Sequence, residues 1–141
     1  MASAALIFTS CGNKVKSASD SAAQDSAAPT EVQSYVQSHD TPQVAGHPTI
    51  IDFSATWCGP CRQIAPYVHE MAEKNQEKVN FRFVDVDEDA ETANQYRVDA
   101  MPTFVLLDGD GIEQARVVGA DQAALDDLLR QALTLAKDSV N

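Results

Sequence analysis

The chain has 141 residues, room for one domain and a tail, and sets 10 Lys and Arg against 21 Asp and Glu for a formal charge of -11. That balance argues against nucleic acid as the main partner, because phosphate binding needs clustered positive charge, and against a polybasic membrane-surface binder. No apolar run approaches the ~18 residues of a membrane span, and three cysteines are too few for a disulfide-stapled mini-protein.

Ala4 to Phe8 is a short apolar stretch followed by Thr9, Ser10 and Cys11. It resembles the end of a bacterial lipoprotein signal, which makes Cys11 a candidate lipid anchor. The apolar core is short, and no Lys or Arg precedes it. Ser17 to Ala28 holds no large apolar side chain, so burial cannot offset its ordering entropy and it reads as a flexible tether. Residues 1–29 are therefore assigned to a signal remnant and tether, and residues 30–141 to the domain. The expected location is periplasmic, with membrane attachment through Cys11; a cytoplasmic protein with an unusual tail is the alternative.

Thr30 and Gln33 form a capping-box pattern, and Val32, Tyr35, Val36 and His39 follow at helical spacing, which predicts a short helix ending before Pro42. Thr49 to Ser54 is β-branched and apolar and predicts a buried strand. From Pro60 to about Lys74, one helical face carries Ile64, Ala65, Val68, Met71 and Ala72. Val79 to Val86 predicts a second strand, and Asp89 to Tyr96 a short helix with an acidic start. Thr103 to Leu107 and Ile112 to Val118 predict two strands joined by a turn at Asp108-Gly109-Asp110-Gly111. Asp121 caps a last helix whose stripe runs Leu125, Leu128, Leu129, Ala132, Leu133 and Ala136. This order implies an α/β fold with a central mixed sheet flanked by helices on both faces.

Cys58-Gly59-Pro60-Cys61 lies between the first strand and the helix that follows it. Residues three apart in a first helical turn share a face, so their Cα atoms come within reach of a disulfide. The unpaired N–H groups of the helix end favour a thiolate at Cys58, which makes it the nucleophile and Cys61 the resolving thiol. Half a zinc site would need two further ligands, and no paired spacing supplies them. Haem attachment would need His after the second cysteine, where Arg62 stands. A structural disulfide remains as the alternative, but Gly-Pro between two helix-start cysteines favours an exposed, reactive pair.

The segment Asp52 to Cys61 resembles the active-site segment of the thioredoxin family, and the likeness extends through Pro66, Val84-Asp85-Val86-Asp87, Arg97-Val98, Met101-Pro102-Thr103 and Val118-Gly119-Ala120. It implies a thioredoxin-like fold and a thiol–disulfide oxidoreductase, a protein-disulfide reductase working through reversible Cys58–Cys61 exchange and a mixed disulfide. It implies that Asp52 is a buried carboxylate of raised pKa that takes the proton of Cys61. It implies a cis bond before Pro102, which exposes the Met101 backbone to a substrate chain. Trp57, Gly59, Pro60, Met101, Pro102, Gly119 and Ala120 would form an apolar docking patch. Pro66 would kink the active-site helix.

No cofactor and no metal are implied beyond the protein's own disulfide. The implied partners are disulfide-bearing proteins and an electron donor: a membrane conduit if the chain is exported, thioredoxin reductase if it is cytoplasmic. A monomer is expected. The rival functions are an oxidase or isomerase for exported proteins, and a tethered binding module with a structural disulfide. Phe83 stands where family members often carry a lysine, which should make Asp52 harder to ionise. The family's first strand is not readable. His39, His47 and His69 sit at no useful spacing and read as surface residues, and the carboxylates from Asp85 to Glu91 lack the spacing of a calcium loop.

Overall fold

The computed structural model describes residue 41 and residues 43–138. The signal remnant, the tether, Cys11 and the helix expected after Thr30 lie outside the described residues. The elements are β1 (Thr49–Ser54), α1 (Gly59–Asn75), β2 (Asn80–Asp85), α2 (Ala90–Gln95), β3 (Thr103–Leu107), β4 (Glu113–Val118) and α3 (Gln122–Asp138). They coincide with the seven elements predicted between Thr49 and Ala136, with boundary shifts of one or two residues.

The sheet order is β2-β1-β3-β4. β1 and β2 run parallel, as a strand–helix–strand unit requires, whereas β3 runs antiparallel to both β1 and β4. The period of two along each strand divides the core between the two faces. Ile50, Phe81, Phe104 and Leu106 meet Ile64, Val68 and Met71 of α1 and Leu125, Leu128 and Ala132 of α3. On the opposite face Ile51, Phe53, Val84, Val105 and Leu107 pack with Ala93 of α2 and with Tyr96 and Val98. Helices thus cover both faces of a mixed sheet. Phe53, Phe81 and Phe104 are fully buried, and each withdraws ~150–250 Å² of ring from water.

Local chemistry fixes the helix and turn boundaries. Asp89 accepts the N–H of Thr92 at the start of α2, and Asp121 accepts those of Ala123 and Ala124 at the start of α3. In the β3–β4 turn, Asp108 Oδ1 accepts the N–H groups of Asp110 (3.0 Å) and Ile112 (2.9 Å). A Cβ at Gly109 would stand 2.3 Å from the Gly46 carbonyl oxygen, so only glycine fits there. Beside β2, Thr41 donates its N–H to the Phe81 carbonyl (3.0 Å), and its hydroxyl accepts the Phe81 N–H (2.8 Å). Asn80 binds both the N–H and the carbonyl of Val44. Residues leading into β1 therefore cover the outer edge of β2 at Phe81.

Candidate active site

The register brings four strand ends together. Ser54, the last residue of β1, lies beside Asp85, the last of β2. Thr103, the first residue of antiparallel β3, pairs with Phe53 on one side and with Val118, the last of β4, on the other. Whatever follows β1, β2 and β4, or precedes β3, therefore gathers at this one end of the sheet.

The segment after β1 delivers the cysteines. Cys58 has extended backbone angles (φ −76°, ψ 110°) and caps α1, its Sγ accepting the N–H of Cys61 at 3.2 Å. Proline near the start of the helix costs nothing, since an N–H there has no partner within the helix. Cys58 and Cys61 are joined in a disulfide, with Cα atoms 5.3 Å apart. Each is only 5 % exposed, so the pair is not the exposed feature expected from the sequence. Ala55, Val86 and Met101 cover it, because the ends of β2 and β3 converge on the same point. The access that remains belongs to the rim.

Trp57 forms part of that rim, 62 % exposed, its Nε1–H donating to Asp87 Oδ2 at 2.7 Å. Gly59 and Pro60 open α1 beside it. The Met101–Pro102 bond is cis, and Pro102 is buried. The Pro102 carbonyl accepts the N–H of Gly119 at 2.8 Å, and Gly119 has φ +100°, a backbone region open to glycine. Ala120 follows it, exposed.

A cavity of about 310 Å³ opens behind the pair, between α1 and the sheet. Cys61, Arg62, Ala65, Pro66 and His69 of α1 line it, facing Asp52, Ser54 and Phe83 of the strands. Asp52 is 6 % exposed, and its Oδ1 is buried without a hydrogen-bond partner. Burial alone pushes its pKa from 3.8 up to about 7, since a carboxylate loses its hydration there and gains no compensating donor. Phe83 pairs with Asp52 in register and brings a ring, not a charge, to the cavity. Helix α1 continues through Pro66, which supplies no N–H to the Arg62 carbonyl.

Several contributors carried no local signal in the sequence. Val86 and Asp87 reach the site only because β2 runs parallel to β1 and ends level with it. Arg62 donates Nη1–H to the Thr56 carbonyl (2.8 Å), tying the segment after β1 to the helix. Two histidines expected at the surface are half-buried. His69 stacks on Phe83 with centroids 4.7 Å apart, because α1 lays that position over β2, and His47 leads into β1 beneath the Asn80 side chain. Among the described residues no group of three or more His, Cys, Asp or Glu could hold a metal ion.

A cysteine pair at a helix start, beside a cis-proline segment and a buried carboxylate, is the arrangement that the likeness to the thioredoxin class implies. The thioredoxin family model matches residues 22–131, and the chain belongs to that family. It is 43% identical over 100 residues to a thioredoxin H-type of Fagopyrum esculentum, covering 71% of this chain and 82% of the relative. It is 54% identical over 77 residues to thioredoxin H2-2 of Oryza sativa subsp. japonica, covering 55% of this chain. The chain spans 56% of that rice relative's length. The X-ray structure of Fasciola hepatica thioredoxin superposes with a TM-score of 0.59 at 43% identity, over 62% of this chain and 83% of that one. Thioredoxin NaTrxh from Nicotiana alata gives 0.57 at 36% identity, over 72% and 81%.

Proposed function

We propose that this chain is a thioredoxin-type protein-disulfide reductase. The observation that carries the reading is the Cys58–Cys61 disulfide at the start of α1, with Asp52 in the cavity behind it. In the reduced protein, the Cys58 thiolate attacks a substrate disulfide. A Cys58–substrate bond forms, and one substrate sulfur leaves as a thiolate. Asp52 then takes the Cys61 proton, and the Cys61 thiolate attacks Cys58 Sγ. The intramolecular bond forms, the mixed disulfide breaks, and the second substrate sulfur leaves with its electron pair. Asp52 suits this exchange because its pKa, raised to about 7, lets it hold or release a proton near neutrality. The electrons travel on the protein's own sulfur atoms, so no cofactor enters the cycle.

Trp57, Gly59, Pro60, Met101, Pro102, Gly119 and Ala120 serve as the docking rim for extended segments carrying a disulfide. Backbone pairing beside Met101 gives affinity with little demand on sequence. Compartment and electron donor go together. An exported form anchored through Cys11 would draw electrons from a membrane conduit, and a cytoplasmic form from thioredoxin reductase. Among the described residues no helix is long and apolar enough to cross a membrane. Cell fractionation, with mass analysis of Cys11 for an acyl group, decides between the two.

Insulin reduction driven by dithiothreitol tests the activity. The wild-type chain should accelerate precipitation well above dithiothreitol alone, and Cys58→Ser should abolish the acceleration. A wild-type chain no faster than dithiothreitol would overturn the proposal. The redox potential against a glutathione buffer sets the direction, with ~30 mV per ~1.4 kcal/mol.

A further inference from the structure

Cys61 and His69 lie eight residues apart on α1, ~12 Å along the axis at ~1.5 Å per residue. Both line the cavity, as does Ala65 midway between them. Helical positions four apart lie one above another, so the three residues form a single row along the cavity wall. Asp52 faces that row from β1. Its nearest neighbour in register on β2 is Phe83, and Phe83 carries the His69 ring stacked upon it at 20° between planes. At about 310 Å³ the cavity has room for several water molecules at ~30 Å³ each. The buried Asp52 oxygen has no protein donor or acceptor through which a proton could leave.

Resting on the disulfide-exchange reading above, we propose that His69 is the proton exit of this site. It relays through the cavity the proton that Asp52 takes from Cys61, and returns one when the disulfide is reduced. The protonated Asp52 carboxyl gives its proton across cavity water to neutral His69. Asp52 is left as the carboxylate, ready for the next turnover, and the imidazolium releases the proton to solvent. No electrons move in this step. Imidazole is the side chain suited to the task, because it changes charge between pH 5 and 8 and its two nitrogens can accept on one side and donate on the other. Among the described residues, the other charged groups on or beside the cavity wall do not fill the role. Arg62 lines the cavity, but its guanidinium offers no acceptor and donates to the Thr56 carbonyl, and Glu73, one turn beyond His69 on α1, is exposed and absent from the lining. β2 contributes only Phe83. His69 acts through Asp52 and is a positioning residue, not a catalytic one.

The test is steady-state insulin reduction by the full chain carrying His69→Phe, which keeps a ring against Phe83, with His69→Gln as a second variant. Thermal melts check that both fold. At pH 6.5–7 both should lose about three- to tenfold in rate, less than the ~10²–10⁴ of a group acting directly on the reacting atoms. The deficit should shrink toward pH 8.5, where hydroxide removes the proton directly, and added free imidazole should restore the rate. In an Asp52→Asn background, His69→Phe should cost nothing further. Folded variants with an unchanged pH profile would overturn the relay, as would a loss that imidazole does not rescue or that persists beside Asp52→Asn. In each of those cases wild-type turnover and its dependence on Cys58 remain, so the relay falls without the disulfide-exchange reading.

Discussion

Two aspartates show how differently the two ends of this sheet are built. Asp52 lies near the end of β1 that supports the cysteines, buried with one oxygen unpartnered. Asp108 follows the far end of β3, half-buried in the hairpin turn, where its oxygens accept the N–H of Ile112, the N–H of Asp110 and the Gln114 amide. Burial raises the pKa of the first to about 7. The donated hydrogen bonds, led by that of Ile112, lower the second. One region holds a carboxylate buried and unpaired, at a cost in stability above its ordinary pKa. The other uses the same side chain to hold a turn closed.

The comparison is broken most completely at the cysteines: Cys58→Ser should remove all turnover, while Cys61→Ser should trap the mixed disulfide, visible as a covalent adduct on a non-reducing gel. Next in size is the core that both ends share. Phe104 pairs with Asp52 across β1 and β3 and is fully buried, so Phe104→Ala should cost about 3–5 kcal/mol in urea unfolding.

The carboxylates themselves should give opposite pH slopes. Between about pH 4 and 7 the folded protein keeps the Asp52 proton and the unfolded chain has lost it. Stability therefore falls as pH rises through that window, by on the order of a few kcal/mol. Asp52→Ala should be markedly more stable than wild type at pH 8 and show little advantage at pH 4, while reducing insulin more slowly. Equal stability differences at both pH values would remove the claim that Asp52 is held unpaired at a cost. Asp108→Ala runs the other way. Its contribution is present above the ordinary value of 3.8 and is lost as pH falls through its lowered pKa, so the variant should melt slightly lower at pH 7 and match wild type at pH 2. The smallest effect belongs to Asp87→Ala: the Trp57 bond is exposed, so stability should barely change, while fluorescence reports a more mobile indole.

The sequence was most legible where a local pattern carries its own physics. The apolar run of β1, the stripe of α3, the Asp108-Gly109-Asp110-Gly111 turn and the capping role of Asp121 all depend on near neighbours, and each element formed where its pattern placed it. The cysteine spacing likewise determines its own helix-start geometry. What could not be read depends on register between distant segments. That Val86 would cover the disulfide, that Asp87 would hold Trp57, and that His69 would lie on Phe83 follow only once β2 is parallel to β1 and level with it. The burial of the cysteine pair is of the same kind: no local rule says that two other strands end above it. The closure of the β2 edge by Thr41 is another, since its partner lies 40 residues away.

The central claim is that the start of α1 holds the Cys58 sulfur as a thiolate, with the Cys61 N–H already directed at it. The direct measurement is the pH dependence of alkylation of the reduced protein, with the modified cysteine identified by mass spectrometry. Cys58 should react first, with a midpoint well below the ~8.5 of a free thiol. A midpoint at or above that value, or preferential alkylation of Cys61, would contradict it.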